Sequence, residues 1–164
     1  MKIKDVAHVG VIGTGMIGTS LAVLLTGHGY RTTMLAVDDR TAADSRAKFD
    51  AFYQAMVDNH VMSAQQAEIF KRYLSYTLDY KDLSDADYVF EAVVEELSVK
   101  HEVYRALEDS CSRLRLILSV SSALQPEKLA AGMDKYRDRI VVAHPFFPPH
   151  LIPYFEIVKS DQDT

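Results

Sequence analysis

Two spacings of apolar residues alternate along this chain, and each predicts its own kind of element. Ala7 to Ile12 is a short apolar run, the mark of a buried strand. Met16 to Leu25 then places Ile17, Leu21, Leu24 and Leu25 at i, i+4, i+7 and i+8, one face of an amphipathic helix. Gly27 and Gly29 stop that helix, and Thr32 to Val37 is β-branched and apolar enough for a second strand. From Arg40 to Leu74 the spacing is helical, with Phe49, Phe52, Tyr53 and Met56 on one face, a break near Asn59, and a second helix through Ile69, Phe70 and Tyr73. Tyr88 to Val94 and Leu114 to Leu118 are continuous apolar runs of the kind that strands covered on both faces show, with a helix from about Leu97 to Ser110 between them. Pro126 opens a short helix, and Ile140 to Ala143 is a last strand. Four of the five prolines lie between Pro145 and Pro153, which predicts an ordered loop leaving the sheet. Strands alternating with helices in this way predict an α/β fold of Rossmann type, a doubly wound, mainly parallel sheet with helices on both faces.

Composition narrows the setting. With 164 residues, 48% of them apolar and 25% charged, the chain is expected to form one domain, residues 1–164, with a core that needs no metal or cross-link. A single cysteine, Cys111, cannot form an intrachain disulfide and suits a reducing, cytoplasmic setting. A net charge of −5 with scattered basic residues argues against nucleic acid as a partner. No apolar run approaches the roughly 20 residues of a membrane span. The basic start, Met1 to Asp5, is followed by three patterned glycines and not by a cleavage-type tail, so it reads as the lead into a first strand. No cysteine or histidine set has the spacing of a metal site.

Four clusters carry candidate chemistry. Gly13-Thr14-Gly15-Met16-Ile17-Gly18 is G-x-G-x-x-G between a strand and a helix. Glycine is needed there for the tight turn, for close approach of a pyrophosphate and for helix packing, and the N–H groups at Met16 and Ile17 open the helix toward the phosphates. The alternative is a plain turn. Asp38 falls 20 residues after Gly18, where an acid would bind the adenosine ribose and favour NAD; Arg40 nearby leaves room for NADP, and a solvated turn explains both equally well. Glu91 to Glu95 ends an apolar strand, with Lys100 on the next helix, so Glu95 and Lys100 either flank the nicotinamide or form a surface ion pair. Ser119 to Ser122 follows another strand, where its hydroxyls either bond a substrate or cap a helix. His144 opens a proline-rich loop, with Glu156 twelve residues on; it has the intrinsic pKa of a general base, though many such histidines are structural.

Together these clusters resemble the NAD-binding domain of the 3-hydroxyacyl-CoA dehydrogenase family, from Val9 to Glu156, and the stretch from Glu91 to Lys100 is similar to its EAVxExxxxK signature. The resemblance implies cofactor contacts at Gly13, Gly15, Gly18, Glu95 and Lys100, a substrate-binding serine at Ser122 (or Ser121 one position away), a general base at His144 and an orienting carboxylate at Glu156. It implies oxidation of the 3-hydroxyl of an L-3-hydroxyacyl-CoA, in fatty acid metabolism, by hydride transfer to NAD. Departures are visible. Counted without gaps from Gly29, the ribose-binding aspartate falls on Ala36; the family's NTSS reads Val120-Ser121-Ser122; and its HFFNP reads His144-Pro145-Phe146-Phe147-Pro148. The last of these, with Leu124 to Leu129, is closer to lambda-crystallin, gulonate dehydrogenase and carnitine dehydrogenases, which implies a small 3-hydroxy acid as substrate. Family members carry a C-terminal helical domain that closes the cleft and makes the dimer. The sequence stops at Thr164 without it, so the resemblance implies an excised dinucleotide domain, a stand-alone protein whose site a partner completes, or a module that binds NAD without catalysis.

Overall fold

A computed structural model describes residues 6–160; the start from Met1 to Asp5 lies outside them. In chain order the elements are β1 (His8–Ile12), α1 (Met16–Gly27), β2 (Arg31–Leu35), α2 (Asp39–Asp58), α3 (Ala64–Lys71), β3 (Leu74–Thr77), β4 (Tyr88–Glu91), α4 (Leu97–Ser110), β5 (Leu116–Ser119), α5 (Pro126–Ala130), β6 (Ile140–Pro145) and β7 (Phe155–Val158). The strands form one seven-stranded sheet in the order β3-β2-β1-β4-β5-β6-β7. Every neighbouring pair is parallel except β6 and β7. The chain order reverses at β1, so the crevice outside the carboxyl ends of β1 and β4 is the topological switch point, where open sheets of this kind bind ligands.

Helices cover both faces, as expected. On one face α4 and α5 pack Val103, Tyr104, Leu107 and Leu129 against Val89, Ile117 and Val142 of the sheet. On the other, α1, α2 and α3 bring Ala22, Val23, Phe49, Tyr53 and Ala67 onto Val11 and Met34. β1 is buried along its whole length because it lies between these two cores. Each fully buried side chain of leucine size contributes about 1.5–3 kcal/mol. Among the described residues no helix is long and apolar enough to cross a membrane.

Strand ends shift by one or two residues at β2 and β5, and three larger differences from the sequence reading appear. The helical spacing expected to reach Leu74 ends at Lys71, and Leu74–Thr77 is instead the edge strand β3. Ile69, Phe70, Tyr73 and Leu74 continue a helical rhythm across this break, and a half-exposed strand of four residues has too short a pattern to oppose it. β4 stops at Glu91 rather than Val94, because Ala92 turns away over the glycine loop. β7 lies beyond the loop expected from Pro145 to Pro153, where the sequence reading predicts no element; it returns antiparallel to β6 and pairs His144 with Glu156. The loop between them is ordered against α1: the His150 ring and backbone N–H lie 2.6 and 3.3 Å from the Ser20 hydroxyl, and the ring packs on Phe52.

Candidate active site

The glycine turn closes the carboxyl end of the central strand. Gly13 has a φ of +107°, and a Cβ there would lie 2.4 Å from the Ala92 carbonyl oxygen. Gly18 is equally confined, since its Cβ would meet the Gly13 carbonyl oxygen at 2.0 Å. Gly15 differs: nothing stands within 4 Å of where its Cβ would be. No side chain caps α1 at Gly15, so the N–H groups of its first turn, at Met16 and Ile17, are left for an anion. An uncapped helix N-terminus beside open space fits a dinucleotide pyrophosphate, and the two crowded glycines explain how the turn is held.

Asp38 lies past the end of β2, exposed, with a use the sequence reading did not assign it. Its carboxylate accepts the Thr41 N–H at 2.7 Å and caps α2. The hydrogen bonds from the Thr41 backbone and hydroxyl, with the Arg40 charge, hold its carboxyl below the ordinary value. Ala36 is buried, and its N–H is bonded to the Thr77 carbonyl, so the ungapped position offers the ribose no polar side chain.

Glu91, Lys100 and Glu95 form a chain that runs from the core to the crevice. Lys100 is wholly buried, 0% exposed, and its ammonium meets Glu91 at 2.8 and 3.0 Å and Glu95 at 3.1 Å. It therefore presents no open N–H to the crevice, and the charge at the surface is that of Glu95, whose side chain is 41% exposed. Glu91 also accepts from Tyr104, Ser119 and the Val93 N–H. Sequence reading paired Lys100 with Glu95 and missed Glu91 as its main partner. A carboxylate inside a strand covered on both faces was the available signal, since such a group must be paired. Glu95 in turn accepts from the Ser121 hydroxyl and the N–H groups of Ser122 and Ala123. Burial opposes its ionisation, but the hydrogen bonds from Ser121 and Lys100, the Lys100 charge and the Ala123 N–H outweigh it and hold the carboxyl below the ordinary value.

The turn that Glu95 clamps presents Ser122 to His144, with the Ser122 Oγ 3.1 Å from the His144 Nε2. Ser121, by contrast, is buried and bonded inward to Glu95 and to the N–H of Leu124. His144 and Glu156 are direct cross-strand partners, and both line a cleft of about 300 Å³ with Ser122, Leu124, Gln125 and Val142. No direct hydrogen bond joins the His144 ring to the Glu156 carboxylate. Leu124 and Gln125, which shape this cleft, enter the sequence reading only through the resemblance of Leu124 to Leu129 to one branch of the family, not as site residues. Among the described residues no three histidine, cysteine or acidic side chains converge as a metal site.

The chain matches the family described as "3-hydroxyacyl-CoA dehydrogenase, NAD binding domain" over residues 8–164. It is 32% identical over 163 residues to the peroxisomal fatty acid beta-oxidation multifunctional protein MFP2 of Arabidopsis thaliana, covering 99% of this chain and 22% of that protein. It is 25% identical over 155 residues to a 3-hydroxybutyryl-CoA dehydrogenase of Mycobacterium tuberculosis, covering 94% of this chain and 54% of that one. The solved structure of FadB2 of that organism superposes with a TM-score of 0.89 at 25% identity, covering 96% of this chain and 57% of that chain. The chain thus spans about a fifth to about half the length of these relatives. With its glycine turn, its parallel sheet and a match over nearly its whole length, the chain belongs to the NAD-binding domain family of the 3-hydroxyacyl-CoA dehydrogenases.

Proposed function

We propose that this chain is the dinucleotide-binding domain of an enzyme that oxidises the 3-hydroxyl of an L-3-hydroxyacyl-CoA or a related small 3-hydroxy acid. The observation that carries the reading is the Ser122–His144 contact of 3.1 Å at the mouth of a cleft that adjoins the switch-point crevice. Bound NAD supplies the hydride acceptor. The uncapped start of α1 and the open face of Gly15 hold the pyrophosphate, with Gly13 and Gly18 shaping the turn and Met16 and Ile17 lending N–H groups. Asp38 reaches the ribose with the carboxylate oxygen that does not cap α2, and Glu95 borders the nicotinamide side. Ser122 holds the substrate oxygen, and His144 takes its proton at Nε2. Glu156, across the β6–β7 pair, stabilises the charged imidazole as it forms.

A substrate held by Ser122 and His144 would lie at an open edge of the sheet, and the loop that follows His144 carries the exposed apolar residues Phe146, Phe147, Leu151, Ile152 and Tyr154. These features support completion of the site by a further helical domain, in the same polypeptide or from a second subunit. The buried, unpaired Cys111 supports a reducing compartment, and we place the protein in the cytoplasm on that ground. A second reading, a module that binds NAD without turnover, draws on the missing hydrogen bond between His144 and Glu156.

Gly15→Val tests the cofactor site. Its side chain enters open space, so the variant is expected to melt with the wild type and to lose NADH binding in a fluorescence titration. Unchanged affinity would show that the dinucleotide lies elsewhere.

A further inference from the structure

We propose that Glu91 is a positioning residue for the site: through the buried Lys100 it fixes Glu95, and through Glu95 the turn that carries Ser122. This rests on the dinucleotide-binding reading and adds to it a residue with no route to cofactor or substrate. Glu91 is fully buried, and its two oxygens take Lys100 twice, Tyr104 at 2.7 Å, Ser119 at 2.6 Å and the Val93 N–H at 3.0 Å. Its carboxylate cannot turn without breaking several of these at once.

Lys100 is held in consequence, and its remaining contact is Glu95 at 3.1 Å. Glu95 spends its other oxygen on three groups of the next turn, Ser121, Ser122 and Ala123. The chain ends at the 3.1 Å contact between Ser122 and His144. Five residues from three elements are thereby linked, from the core under α4 to the general base.

Stability alone does not account for such an arrangement. A buried ion pair is weak evidence for stabilisation, because apolar residues of similar volume commonly replace one at no loss or with a gain. What a fully bonded pair does supply is a fixed direction for the atoms it holds, here the exposed carboxylate of Glu95.

The test compares melting temperature, NADH affinity and the NMR titration of the His144 ring in the 164-residue chain. The double variant Glu91→Leu/Lys100→Met fills the space without charge. It is expected to melt at or above the wild-type temperature, to bind NADH about tenfold more weakly, the size of losing one hydrogen bond to a charged group, and to shift the His144 midpoint. Wild-type affinity and an unmoved His144 midpoint would overturn the proposal and leave the ion pair as packing. Tyr104→Phe repeats the question in a variant that keeps the ring and removes a single hydroxyl; weaker NADH binding with intact melting is expected, and unchanged binding counts against the proposal. A wild-type chain that fails to bind NADH overturns the cofactor reading itself, so the two failures are separable.

Discussion

One methyl group has opposite meanings at two glycines only three residues apart. Added at Gly18 it meets the Gly13 carbonyl oxygen at 2.0 Å, and backbone cannot yield as a flexible side chain can. Gly18→Ala is therefore expected to cost at least the 1–3 kcal/mol or so typical of overpacking, read as a lower melting temperature before any cofactor is added. Gly15 has no such neighbour, so substitutions there meet no packing clash, cost the fold no more than a poorer cap on α1, and act chiefly on binding. At the catalytic end, His144→Ala in a complete enzyme is expected to lower kcat about 10²–10⁴-fold, the range for a lost general base, in steady-state assays with a 3-hydroxyacyl-CoA. Glu156→Gln should cost less, since the ground state shows no hydrogen bond between the two side chains. Residue types at strand ends marked Ser122, His144 and Glu156 as candidates in the sequence, the resemblance alone gave them roles, and the fold brings the three to one cleft. The partner of Lys100 was not legible, because eight residues of loop and helix separate it from Glu91 and either acid in that stretch had suitable spacing.

At the level of elements, α2 begins on a residue with one duty observed and a second proposed. Asp38 caps the helix through Thr41 and is also the acid nearest the expected ribose. The duties separate by substitution: asparagine caps nearly as well as aspartate but carries no charge. Asp38→Asn is expected to keep the melting temperature and weaken NAD more than NADP, whereas Asp38→Ala should lower both melting and NAD affinity, as calorimetry would show. Because the cap holds the folded-state pKa of Asp38 below its ordinary 3.8, its contribution to stability is present above that pH and is lost as pH falls through the lowered value. The central elements were legible because long apolar runs and 3.6-residue periods survive in them. The two edge strands were not: β3 and β7 have four residues each, exposed on part of their surface, and β7 is specified mainly by the antiparallel partner that receives it.

For the molecule as a whole, acid sensitivity is expected from His8. It is buried at the start of the central strand, with its ring between Asp85 and Thr33 at 2.8 Å each. Desolvation lowers its pKa below 6.5 despite the opposing pull of Asp85. The unfolded chain therefore takes up a proton first, so this contribution to stability is present above about pH 6.5 and is lost as pH falls toward the folded-state value. His8→Gln should flatten the fall in melting temperature between roughly pH 7 and 5, and an equally steep profile would assign that fall to other groups. The contact between Ser20 and His150 carries a different consequence, one of timing. It joins residues 130 positions apart, so its closure carries a large entropy cost until the intervening strands are paired. The loop that follows His144 is therefore expected to dock late in folding, after the helix it rests on. Ser20→Ala should accelerate unfolding and leave the refolding rate nearly untouched in stopped-flow experiments, the signature of a contact absent from the transition state.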